Sequence, residues 1–135
     1  MMIIQLHANK TLKEIQSEFS SLFPYLKIEF FPKTAGTGKG VKKEYLKNLH
    51  VTLQELTKKQ VDDQLILDEN TIVNELEKQF RERFDLNVQV FRKSGNIWLE
   101  TTATNNWTLG YQNSQGQELD KANLSANDSD YHEQH

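Results

Sequence analysis

The residues of this 135-residue chain that could do chemistry fall into a few groups. The first is a glycine and lysine loop, Thr34-Ala35-Gly36-Thr37-Gly38-Lys39-Gly40, set between a strand-like and a helix-like run, where main-chain N–H groups can cradle phosphate. A Walker-type loop needs glycine where Lys33 stands and serine or threonine where Gly40 stands, so the metal-binding hydroxyl is missing. Glycines at 36, 38 and 40 also miss the GxxG clamp that grips RNA backbones. What remains is charge. Lys39, Lys42 and Lys43 are candidate phosphate-binding residues that would act without sequence preference, against the plainer reading of a solvated linker.

The second group is Arg92, Lys93, Trp98 and Trp107, with Phe91 beside them. Cations mixed with aromatic surface occur where sheets bind partners or stack on bases, so these four are candidate partner-binding residues. The same residues also suit edge cover, in which charge keeps a strand from pairing with a neighbouring chain. The histidines, His7, His50, His132 and His135, offer one H-x-x-H pair, but it falls in a polar tail with nothing to hold its geometry. Asp62-Asp63 and Asp68-Glu69 are paired acids, and the second pair suits a helix N-terminus. Ser17, Ser20, Ser21 and Ser94 lack a nucleophile-elbow context. No residue is assigned a catalytic, cofactor-binding or metal-binding role.

The elements that position these groups follow from periodicity. Ile3, Ile4 and Leu6 open the chain as a strand, because the segment has no basic leader and its apolar run breaks at Gln5. Thr11 and Glu14 form a capping box for a helix whose stripe is Leu12, Ile15, Phe19, Leu22 and Phe23, stopped by Pro24. A strand over 27–31 follows. The same order returns 61 residues later: Leu65 and Leu67, a cap at Asn70 or Thr71, the stripe Val73, Leu76, Phe80 and Phe84, then Val88 and Val90. Between the copies, Thr52-Leu53-Gln54-Glu55 predicts a second capped helix over roughly 44–60.

Asp85 to Thr102 alternates apolar and polar residues on both sides of Lys93-Ser94-Gly95-Asn96, which predicts a β-hairpin with Gly95 or Asn96 at positive φ. Trp107 to Asn113 predicts a last helical turn. These elements imply an α+β fold, a two-layer α/β sandwich, ferredoxin-like or related, in which a duplicated β-α-β unit shares one sheet and a C-terminal hairpin strand lies on its edge. The domain spans 1–113: copy one at 1–32, linker and short helix at 33–61, copy two at 62–92, hairpin strand and last turn at 93–113. Residues 114–135 are Gln-, Asn-, Ser- and Asp-rich and are expected to be disordered.

Net charge is -3, which disfavours a general nucleic-acid binder, yet the charge is uneven. Residues 33–47 carry five lysines against Glu44, and residues 116–135 carry five acids against Lys121. The absence of cysteine fits a cytoplasmic location, and no run is long and apolar enough for a membrane span. The run VQVFRKSGNIWLETT followed by NNWTL resembles a motif of small bacterial proteins of uncharacterised function. The resemblance implies a bacterial source and carries over no activity. Three functions stay open: a non-enzymatic protein-binding or self-assembly module using the sheet edge or hairpin, a weak nucleic-acid binder using the lysine loop and hairpin tip, and a small-molecule enzyme without a recognisable motif.

Overall fold

The computed structural model describes residues 1–32, 44–58 and 60–133, with side chains of the last helix through residue 122. The order is β1 (Met2–His7), α1 (Leu12–Leu22), β2 (Leu26–Phe31), α2 (Leu53–Thr57), β3 (Asp62–Leu67), α3 (Val73–Phe84), β4 (Asn87–Ser94), β5 (Ile97–Glu100), a 3-10 turn (Thr102–Thr104) and α4 (Leu109–Glu133). The chain is α+β, with helices packed on antiparallel sheets. The strands form two sheets, β1-β3 and β2-β4-β5, where one shared sheet of the ferredoxin-like kind was expected.

The reason lies in how the halves meet. In β1-β3, Ile4 faces Leu65, its own counterpart at the 61-residue offset. In β2-β4, where the offset between equivalent residues drops by one after Pro24, Glu29 faces Gln89, its counterpart at an offset of 60. Antiparallel strands that face their own equivalents are related by a local two-fold axis. Such an axis pairs like strand with like strand and sends each half's two strands to different sheets.

The repeat is also longer than a β-α-β unit. Thr11 bridges Thr52, and Ile72, the counterpart of Thr11, bridges Thr108. Around the first bridge the Leu12 and Leu53 amides donate to Val51 O and Lys10 O. Around the second the Val73 and Leu109 amides donate to Trp107 O and Thr71 O. So α2 is no linker helix. It is the fourth element of copy one, equivalent to the start of α4. It is also shorter than expected, because residues 44–52 are not helical and α2 ends at Lys58 in the left-handed region.

Local signals explain most of the elements. The Thr11–Glu14 capping box is formed in both directions, and Thr52 Oγ1 accepts from the Glu55 amide. Neither Asn70 nor Thr71 caps α3: the cap residue is Ile72, and the Thr71 hydroxyl instead accepts from the Asp68 amide. Leu12, Ile15 and Phe19 of α1 and Val73, Leu76, Phe80 and Phe84 of α3 enter a single core with Ile4, Leu6, Ile28, Phe30, Leu65, Leu67 and Val90. Phe30 meets Phe80 edge-on at 6.4 Å, a ring contact between the two halves.

Where a disordered 114–135 segment was expected, α4 runs on to Glu133. It docks through close approach and polar contacts, which hydropathy does not register. Asn113 Oδ1 accepts from the Tyr25 amide at 2.8 Å. A Cβ on Gly116 would lie 2.8 Å from Tyr25 Cβ and 3.3 Å from Arg92 Cγ. Glycine in mid-helix costs about 1 kcal/mol relative to alanine, and here its missing side chain is what lets the helix reach the sheet.

Candidate partner-binding edge

The hairpin closes on two residues, with Ser94 opposite Ile97. Gly95 has φ 61 and Asn96 is not in the positive-φ region, the pattern of a type II′ turn that matches strand twist. In a hairpin of this length the flanking pair is hydrogen-bonded and the pairs then alternate. Ile97 and Leu99 therefore point their main-chain groups at β4, while Trp98 and Glu100 point theirs away.

Cross-strand partners share a face, so the register decides which candidate residues can act together. Lys93 opposes Trp98, and Arg92 opposes Leu99 on the other side of the sheet. The four candidates are thus split into two pairs on opposite faces. On the first face the Lys27 ammonium lies 5.2 Å from the ring centres of both Phe91 and Trp98, and it pairs with Glu29 at 3.3 Å. Tyr45 packs edge-on against Phe31 and Phe91 and donates its hydroxyl to Glu100 Oε1. Burial, reinforced by Glu100, pushes the Tyr45 hydroxyl well above the usual tyrosine range, so it remains a donor.

On the second face Arg92 is committed inside the molecule. Its guanidinium lies 5.6 Å from the Trp107 ring and donates to Gln112 Oε1 at 3.0 Å. Gln112 is fully buried and donates in turn to Thr104 O and Thr104 Oγ1, each at 2.8 Å. Trp107 stacks edge-on against Tyr111 at 4.8 Å. Lys93, although its strand position is on the first face, also pairs with Asp120 of α4, at 3.5 Å. The two hairpin cations thus fasten α4 to the sheet, and neither stands free at the tip as the sequence implied.

The sheet edges differ in a way the sequence did not reveal. On β2 the outward carbonyls of Leu26, Ile28 and Phe30 accept from Ser20 Oγ, Gln16 Nε2 and the Leu46 amide. On β1 the Gln5 carbonyl accepts from the buried Lys10 ammonium. On β3 the Gln64 carbonyl accepts from Arg83 at 2.9 Å, an arginine that also pairs with Asp63. The Gln64 amide and then Arg83 hold the Asp63 carboxyl below its ordinary range. Among the described residues the outward groups of β5 meet no such partner. Its side chains Ile97, Trp98 and Leu99 are 59%, 37% and 39% exposed. Strong edge capping by α-helical side chains is a tertiary feature, and no spacing rule would have found it.

Lys39, Lys42, Lys43 and His135 lie outside the described residues, and His7 and His50 are exposed. Among the described residues no group of three His, Cys, Asp or Glu could hold a metal ion, and no helix is long and apolar enough to cross a membrane. No protein-family model, curated protein or solved structure shows a significant match to this chain.

Proposed function

We propose that this protein is a binding module that accepts an extended strand along β5, adding it to the β2-β4-β5 sheet. The observation that carries the reading is the contrast among edges: β1, β2 and β3 are each stopped by a side chain or loop on an outward carbonyl, and among the described residues nothing caps the outward groups of β5, whose Ile97, Trp98 and Leu99 side chains are exposed. An unblocked edge supplies main-chain donors and acceptors in register, and Trp98 with Leu99 offers side-chain contact on either face. The nucleic-acid reading draws less support, because Arg92 and Lys93 are held by Gln112 and Asp120.

The test uses immobilised full-length chain to select from a library of extended peptides, followed by amide hydrogen exchange. A bound strand should slow exchange at the Trp98 and Glu100 amides. Leu99→Lys should abolish capture while shifting stability by less than about 0.5 kcal/mol, as expected of an exposed position. Peptides that bind without protecting those two amides would refute the reading.

A further inference from the structure

We propose that the strand accepted by β5 is β5 of a second copy of this chain, laid antiparallel about a two-fold axis through Trp98. This rests on the reading of β5 as an open docking edge and adds the identity of its occupant. The chain already builds its sheets in this manner, with Ile4 against Leu65 and Glu29 against Gln89, each residue facing its counterpart across a local two-fold. Extending the β2-β4-β5 sheet by a copy of itself repeats that construction between molecules.

The register follows from hydrogen-bond parity. Only Trp98 and Glu100 of β5 face outward, so a symmetric ladder must be centred on Trp98, Leu99 or Glu100. Centring on Trp98 sets Ile97 against the partner's Leu99, and does so twice. Ile97 and Leu99, at the margin of the face that carries Arg92, are 59% and 39% exposed, so each gains an apolar neighbour. Centring on Leu99 would instead set Ile97 against Thr101, which is buried and bound to Val90 O. Centring on Glu100 would oppose two carboxylates. In the Trp98 register Glu100 meets Asn96, and no like charges face each other. A four-residue strand pair falls short of the ~800 Å² per partner typical of a stable complex, so the dimer depends on concentration.

Because the chain has no cysteine, single substitutions report the register directly. Opposed residues of a non-hydrogen-bonded pair have Cα atoms about 4.5 Å apart, within disulfide reach, whereas each residue lies two positions from its own copy, roughly 7–8 Å away. Ile97→Cys and Leu99→Cys, mixed and mildly oxidised, should give a mixed disulfide dimer at least ~5-fold above that of either variant alone. Sedimentation of the unmodified chain should show a dimer growing with concentration, and Leu99→Lys should raise its dissociation constant at least about tenfold. Self-linkage of Leu99→Cys would overturn the register. A chain that stays monomeric and yields no mixed disulfide would overturn the second-copy occupant; slowed exchange at Trp98 and Glu100 on peptide binding would then leave the docking edge standing. A dimer indifferent to Leu99→Lys and free of the mixed disulfide would likewise overturn the second-copy occupant of β5, with the docking edge itself decided by the peptide-exchange measurement.

Discussion

The two halves of this molecule share a framework and part company after their second strand. Copy one leaves β2 and ends in the five-residue α2, and its edge is closed by Gln16, Ser20 and Leu46. Copy two leaves β4 and continues as β5 and the 25-residue α4. The side chain at the equivalent point of each half's helix matches the edge it meets. Gln16 of α1 donates to the Ile28 carbonyl, while Glu77 of α3 accepts from the Val90 amide. An amide fits an edge of carbonyls and a carboxylate fits an N–H. With the Val90 carbonyl taken by Thr101, β4 hands its edge to the hairpin. One half closes its edge with its own groups, and among the described residues the other half presents an edge without such partners.

The comparison is broken most forcefully at the core. Phe19 and Phe80 are equivalent, fully buried, and paired with Phe23 and Phe84 at 5.6 Å and 6.3 Å. Phe19→Ala and Phe80→Ala should each cost about 3–5 kcal/mol in denaturant unfolding, within one cooperative transition. Two separate transitions would show that the halves fold as independent units. Gly116→Ala comes next. Helix propensity favours alanine by about 1 kcal/mol, but the new Cβ would sit 2.8 Å from Tyr25 Cβ, and overpacking of this kind costs about 1–3 kcal/mol. The net change should be destabilising and should loosen α4, seen as faster amide exchange over residues 109–120. A stabilised variant would mean that α4 does not rest on the sheet.

Much of this framework was legible because it is local. The Thr11–Glu14 box, the apolar stripes of α1 and α3, and the Gly95 turn each depend on residues within a few positions of one another. The 61-residue offset also read directly, since Phe19 and Phe80 occupy the same place in the same pattern. The sheets did not, because strand pairing is set by the two-fold contact between halves, and each strand's alternation fits several neighbours equally well. The fourth element of the repeat was marked by Val51-Thr52-Leu53 and Trp107-Thr108-Leu109, but two shared residues fall below what a hydropathy comparison weighs. α4 was missed because Gly116, Asn113 and Gln112 dock it through closeness and hydrogen bonds. The hairpin was found, while the engagement of Arg92 and Lys93 with α4 was hidden with it.

A smaller effect sharpens the contrast between edges. Gln16→Ala frees the Ile28 carbonyl of β2 and should cost about 1 kcal/mol, the usual net worth of one such hydrogen bond. If capping is what keeps β2 closed, the variant should also associate more readily than the parent in sedimentation. Unchanged association would show that β2 is protected by something other than Gln16.

The smallest difference lies at the starts of the two long helices. In copy one, Thr11 caps α1 and Glu14 reaches back to it, whereas α3 begins at Ile72 with no side-chain cap. Thr11→Ala should cost about 1 kcal/mol, an effect that Ile72→Ala cannot reproduce through capping. The Glu14 carboxyl is held below its ordinary value of 4.5, first by the Thr11 amide and then by the Thr11 hydroxyl. A carboxyl lowered in the folded state binds its proton more readily once the chain unfolds. Its contribution is therefore full above about pH 4.5 and fades as pH falls through the lower folded value. Glu14→Gln, which keeps an acceptor oxygen but cannot titrate, should flatten that part of the stability profile. Melting curves of parent and variant between about pH 6 and pH 2.5 would then converge at the acid end, and parallel curves across that range would separate the cap from the titration.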